Sequence, residues 1–274
     1  MVSRALRNTP LVLGGVIVVF VVLMAVLAPL AAPMDPNYQE LEDRLSGLGT
    51  PGHVLGTDQY GRDLLSRLIY GARVSLTAGV FAVLLGATAG LVLGLLAGYF
   101  GGWVDLVVGR VFDVLLSFPT ILLALAIVAA LGPSMTNLII AIAITTTPNF
   151  GRVARSAILS VRSREYILAS ESFGSSDTYA MVRHVVPNVM PAVIVTTSLG
   201  IGGAIQAEAT LSFLGLGVSP PTATWGNIIN DGRAYLDVAP WISTIGGLAI
   251  VIAVVGFSLV GDGLRDLLDP RLRR

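Results

Sequence analysis

Few of the 274 residues in this chain can do bond chemistry, and their types exclude most of it. There is no cysteine, so disulfides, thiolate metal sites and thiol nucleophiles are out of reach. All 17 basic residues are arginines, and without a lysine no G-x-x-x-x-G-K-[ST] loop can grip a nucleotide phosphate. The two histidines, His53 and His184, have no ligand-spaced histidine or carboxylate pair beside them, and neither G-x-S-x-G nor H-E-x-x-H occurs. An intramembrane enzyme is therefore the poorest reading. The ionisable residues that do stand out are Asp113 and Glu208, each set inside or beside a long apolar run. A charge there is costly and usually faces a cavity or a partner.

The elements that carry those acids are membrane-sized. Hydrophobic residues make up 54% of the chain and charged ones 12%, with a mean hydropathy of +0.80, outside the balance of a soluble domain. Apolar segments fall at 11–31, 74–100, 106–131, 135–148, 189–211 and 241–260, which predicts an all-α polytopic membrane protein with six transmembrane helices. The fourth segment is short and extends to Phe150 on a longer reading. The first follows Arg4 and Arg7 as a cleaved signal would, but its apolar run is too long for a signal core. Zero net charge argues against nucleic acid as a partner.

Residues 1–73 divide from a five-helix core at 74–274. Within the first part, 33–73 is polar and ends in a stretch where Leu64, Leu65, Leu68 and Ile69 share one side, away from Arg62 and Arg67. That pattern predicts an amphipathic helix along the membrane surface. With the N-terminus inside, twelve arginines fall on the inner side and Arg44, Arg62, Arg67, Arg73 and Arg233 on the outer, so both termini are expected in the cytoplasm of a bacterial inner membrane. His53 and His184 then lie on opposite sides and cannot share a metal; no metal site is expected.

In the second apolar segment Gly86, Gly90, Gly94 and Gly98 recur every four residues, a smooth stripe for another backbone, or alternatively a hinge. Asp113 has Arg110 three residues before it, so it is read either as an i, i+3 pair near the interface or as a translocation-path residue. Glu208 has no basic residue within a turn and is read as a wall or subunit-contact residue.

Between the fourth and fifth segments, 151–188 is too long for a connector and rich in arginine. A helix from Glu165 to Phe173, a left-handed Gly174, a capping Ser176 and a second helix stopped by Pro187 are predicted, with Tyr179, Val182, Val185 and Val186 on one face for a soluble partner.

Leu168, Ala169 and Ser170, then Gly174, then Pro187 within His184-Val-Val-Pro-Asn resemble the EAA loop of ABC importer permeases, although Leu168 stands where the loop's leading glutamate belongs. LGTDQYGRDLLSRLIYGAR at 55–73, AEATLSFLGLGVSPP at 207–221 and GDGLRDLLDPRL at 261–272 are similar to the second permease subunit of dipeptide, oligopeptide and nickel importers. The resemblance covers nearly the whole chain. It implies a type I ABC importer permease fold, a second homologous permease subunit, two cytoplasmic ATPases and an extracytoplasmic substrate-binding protein. ATP and Mg belong to the ATPases, and this chain binds no cofactor. The coupling residues it implies are Glu165, Leu168, Ala169, Ser170, Glu171, Gly174, Ser175, Asp177, Arg183, His184 and Pro187. Short peptides are the implied cargo, with nickel chelates or glutathione as the alternative. An ion-coupled secondary transporter would show internal repeats and a mid-membrane coupling acid, and neither is evident.

Overall fold

The fold follows from long apolar helices whose small residues let them pack backbone to backbone. The computed structural model describes residues 8–167 and 174–268. Among them there is no sheet, only isolated bridges between Thr50 and His53 and between Thr57 and Asp63. The helices are α1 (Thr9–Val26), α2 (Ala28–Ala31), α3 (Leu64–Phe100), α4 (Gly102–Leu116), α5 (Thr120–Leu131), α6 (Met135–Arg162), α7 (Asp177–Ala180), α8 (Val186–Phe213), α9 (Trp225–Arg233) and α10 (Trp241–Leu268). Four stretches are long and apolar enough to cross a membrane, and five if α4 and α5 together form one broken span. α6 is long enough, at 28 residues, but it carries Thr145, Thr146, Thr147, Pro148 and Asn149 in mid-course.

α1 starts where the Asn8 side chain accepts the Leu11 amide at 2.9 Å. It packs one edge on α10, with Gly14 against the backbone of Gly256 and Val260, and leaves Val16 and Phe20 about 60% exposed to lipid.

The amphipathic stretch after residue 60 is not a separate surface helix. α3 begins at Leu64, capped by Asp63, which accepts the Ser66 amide at 2.7 Å, and continues unbroken to Phe100. Nor do Arg62 and Arg67 face water. Arg62 meets Asp58 at 2.6 Å and Asp231 at 3.1 Å, and Arg67 meets the same two acids at 3.4 and 3.5 Å, all but Asp231 being nearly inaccessible. The loop before α3 folds over its first turns and buries the arginines against α9. Burial holds the Asp231 carboxyl above its ordinary range even with Arg67 and Arg62 beside it.

The third apolar segment is broken rather than continuous, with α4 and α5 bent by 90°. Pro119 explains the break: it disfavours helical backbone at Phe118, while Ser117 closes α4 by donating to the Val114 carbonyl at 2.7 Å.

The centre of the molecule is the contact of α3 with α6. A Cβ at Gly90 would lie 2.8 Å from both the Gly151 amide and the Thr147 carbonyl, and one at Gly94 would lie 2.5 Å from the Gly151 carbonyl. Gly86 and Gly98 are equally close to Thr146 and Ile158, so all four glycines face α6. Gly151 in turn accepts the ring of the buried Phe112 from α4. Pro148 does not end α6. The helix continues to Arg162 with Gly151, Ala154 and Ile158 turned to α3, so the segment between the fourth and fifth apolar runs starts twelve residues later than the sequence pattern suggests.

Candidate translocation groove and coupling segment

The segment after α6 is anchored from both sides. After α6, Ile167 is buried together with Ala180, Val185 and Val189 against Tyr99 and Ile158. Gly174 has φ +82°, and among the described residues nothing lies within 4 Å of where a Cβ would stand. Ser176 accepts the Tyr179 amide at 3.3 Å and starts α7. Asp177, in the first turn, accepts the Tyr99 hydroxyl at 3.1 Å from the C-terminal end of α3. Leu168, Ala169, Ser170 and Glu171 lie outside the described residues; Glu165 and Arg183 are exposed and Ser175 half-buried.

Pro187 does not stop the helix that follows. α7 passes through a π-helical turn at Met181–Val185 straight into α8, where Pro187 occupies the first turn and needs no amide partner. The wider turn also splits the expected apolar face. Tyr179 and Val182 are exposed, at 53% and 65%, while Val185 turns inward and is fully buried. His184 stands between the rings of Tyr166 and Tyr179, at 6.4 and 5.6 Å, so it joins an aromatic group rather than a ligand set.

The acids singled out above find partners inside the chain. Asp113 pairs with Arg152 of α6 at 2.7 Å and not with Arg110, and Asp105 one helical face away is doubly bonded by Arg155. These pairs hold α4 against the C-terminal half of α6. Glu208 is fully buried, accepts Ser212 at 2.7 Å, and faces Ser75 and Thr224. Its second oxygen, Oε2, is buried without a hydrogen-bond partner where α8, α3 and the start of α9 meet, and Gly226 lets α9 settle onto the Ala209 carbonyl beside it.

A candidate wall is made by residues that carry no charge. A groove of about 570 Å³ runs between α5, α6 and α8, lined on its polar side by Thr120, Thr146, Asn149, Thr196, Gln206 and Thr210, with Phe150 among its apolar lining. Asn149 and Gln206 are exposed in the middle of apolar helices, a position that is stable only beside water or another subunit. Thr146 spends its proton on the Ile142 carbonyl at 2.8 Å and presents an acceptor. Sequence reasoning looked for charges and passed over these neutral groups; an Asn and a Gln inside lipid-length helices were the available signal.

Helices of this length, broken and packed around a neutral groove, define a multi-pass membrane protein of the permease class. The chain belongs to the family of binding-protein-dependent transport system inner membrane components, whose model matches residues 90–274, and residues 1–47 match the N-terminal TM domain of oligopeptide transport permease C. It is 43% identical to the dipeptide transport system permease protein DppC of Alkalihalophilus pseudofirmus, over 97% of this chain and 88% of that one. It is also 43% identical to the glutathione transport system permease protein GsiD of Escherichia coli, over 95% and 86%. Among solved structures, the MetNI methionine ABC transporter in an inward-facing conformation aligns with TM-score 0.62 and 16% identity over 75% of this chain and 98% of that one. An amino acid ABC transporter crystallised with histidines aligns with TM-score 0.58 and 17% identity, over 73% and 94%. At that identity the likeness is one of fold, that of ABC importer permeases.

Proposed function

We propose that this chain is one of two permease subunits in an ATP-driven importer of short peptides, crossing the bacterial inner membrane six times with both termini in the cytoplasm. α4 with α5 forms one broken crossing and α6 another. Two cytoplasmic ATPases dock on the segment from Glu165 to Pro187, and an extracytoplasmic binding protein delivers cargo; ATP and Mg act in the ATPases, and this chain binds no cofactor.

One observation carries the reading: a single unbroken helical run, Asp177–Phe213, holds the exposed Tyr179 and Val182 at one end and Thr196, Gln206 and Thr210 of the groove at the other. A push on the docking end moves the groove wall as a rigid body, without an intervening loop to absorb it. Hydroxyl and amide groups suit peptide cargo, since they can exchange hydrogen bonds with any backbone and hold no side-chain charge tightly. The 43% identity to a dipeptide permease supports that class of cargo. Equal identity to a glutathione permease supports a second reading, in which the peptide carried is glutathione.

The test is Gly174→Asp in the reconstituted transporter. A side chain at φ +82° strains the turn and fills the open side where an ATPase would sit. ATP-driven uptake of labelled dipeptide is expected to vanish while the permease still inserts and the ATPases still bind nucleotide. Normal uptake with the ATPases attached would remove the coupling role. Competition by unlabelled glutathione at equal potency would select the second cargo.

A further inference from the structure

The loop ahead of α3 gathers three side chains that the transport reading does not use. His53 is 4% exposed, and its Nδ1 lies 3.0 Å from Oδ1 of Asp63, itself 1% exposed. Asp63 already accepts both the amide and the hydroxyl of Ser66 on its other oxygen, so it acts as an acceptor and draws the imidazole proton to Nδ1. That leaves the Nε2 lone pair without a donor. Oδ2 of Asp43, another acceptor, lies 3.8 Å from it. Glu40 completes the group, one ligand atom from each of Glu40, Asp43 and His53 lying within 4.8 Å of the others.

A cation would join these three acceptors, and the backbones that hold them are fixed independently. The 3-10 turn Leu41–Asp43 brings Glu40 and Asp43 to the same side, with the Asp43 amide on the Glu40 carbonyl at 3.0 Å. The Asp43 carbonyl is held by the Thr57 hydroxyl. A Cβ at Gly61, where φ is +71°, would lie 1.8 Å from the Glu40 carbonyl oxygen, so only glycine permits the approach that seats Glu40. His53 is pinned through its amide to Thr50 at 2.8 Å.

We propose that Glu40, Asp43 and His53 form a binding site for a divalent transition metal of the zinc class, with Asp63 orienting the imidazole. A buried imidazole with two carboxylates suits zinc and not calcium or magnesium, which take oxygen ligands throughout. Bonds of about 2.0–2.2 Å require the two carboxylates, which reach solvent, to rotate inward while the histidine stays in place. The open side leaves a fourth position for water or for a ligand from a docking partner. Sequence reading missed the site because a Glu-x-x-Asp pair becomes ligand-spaced only once His53 folds back over it.

The experiment takes the full-length chain in lipid nanodiscs, purified through a tag without histidine, stripped with chelator and dialysed against zinc with millimolar magnesium present. One zinc per chain is expected, with a raised unfolding temperature. Glu40→Gln, at an exposed position where folding is safe, is expected to weaken binding at least tenfold and remove the thermal shift, as is His53→Asn, whereas His184→Asn retains both. Zinc bound equally by wild type and Glu40→Gln would overturn the site. So would wild-type protein that takes up no zinc but loses stability in His53→Asn, since the imidazole would then be a proton-bearing bridge between Asp43 and Asp63.

Discussion

The Tyr99 hydroxyl and the Asp177 carboxylate meet at 3.1 Å, joining the last turn of α3 to the first turn of the helix that becomes α8. Tyr99 is almost fully buried, 2% exposed, and the Arg162 guanidinium lies 5.2 Å over its ring. α3 is thereby tied to the start of the helical run that continues into α8, where the proposed coupling would act. Tyr99→Phe keeps the packing and removes this bond, at a cost of about 0.5–1.5 kcal/mol. Unchanged complex yield is expected, with ATP hydrolysis retained and uptake per ATP reduced about two- to fivefold. Proteoliposomes with both quantities measured together check it; an unchanged ratio would make the bond a local structural detail.

The glycine seam predicts a different outcome. Gly90 and Gly94 leave no room for a side chain because backbone atoms of α6 stand within 2.8 Å of where a Cβ would be, and backbone cannot swing aside. Overpacking of a fitted contact costs about 1–3 kcal/mol or more. Gly90→Leu and Gly94→Leu are each expected to lower the yield of folded permease several-fold, whereas Gly15→Leu, with nothing within 4 Å, leaves it unchanged. Size-exclusion profiles of the three variants decide between this and a lipid-facing stripe.

The buried ion network predicts sharply unequal losses. Removing Arg67 leaves Asp58, 1% exposed, with Arg62 at 2.6 Å as its remaining guanidinium, and the loss of one member of a buried ion network costs at most about 3–5 kcal/mol. Arg67→Ala is expected to unfold the loop over α3, detected as a lowered melting temperature. Asp231→Asn should do less damage, because burial opposes its charge. The raised carboxyl of Asp231 contributes stability that is present below its unfolded value and lost as pH rises through its folded one. Asp231→Asn should therefore flatten that part of the stability profile, and thermal melts across acid to neutral pH measure it.

How much of this was legible depends on the range of the interaction involved. The apolar runs and the four glycines are local patterns, and α1, α3, α8 and α10 lie where those runs placed them. Arg62 and Arg67 read as water-facing because their partner Asp231 is more than 160 residues away, and no local pattern shows a tertiary ion pair. Pro119 broke its segment while Pro148 and Pro187 did not break theirs. The difference lies in the surroundings, since Pro148 sits in a helix clamped to α3 and Pro187 in a first turn. Glu208 was conspicuous for its charge, yet the groove is lined by neutral residues whose significance appears only when three helices bring them together.

The absence of cysteine makes the groove directly testable, because any single cysteine introduced will be the only thiol in the chain. Asn149 and Gln206 are exposed on the groove side of α6 and α8, whereas Val251 of α10 is 56% exposed on an apolar face. A thiol reacts as the thiolate, which forms in water and not in hydrocarbon. With a charged, membrane-impermeant thiol reagent applied to the assembled transporter in open and inside-out vesicles, Asn149→Cys and Gln206→Cys are expected to label, and dipeptide delivered by the binding protein should slow them several-fold. Val251→Cys should stay unlabelled throughout. Equal labelling at all three positions, or none at Asn149→Cys and Gln206→Cys, would place the aqueous path somewhere other than between α5, α6 and α8.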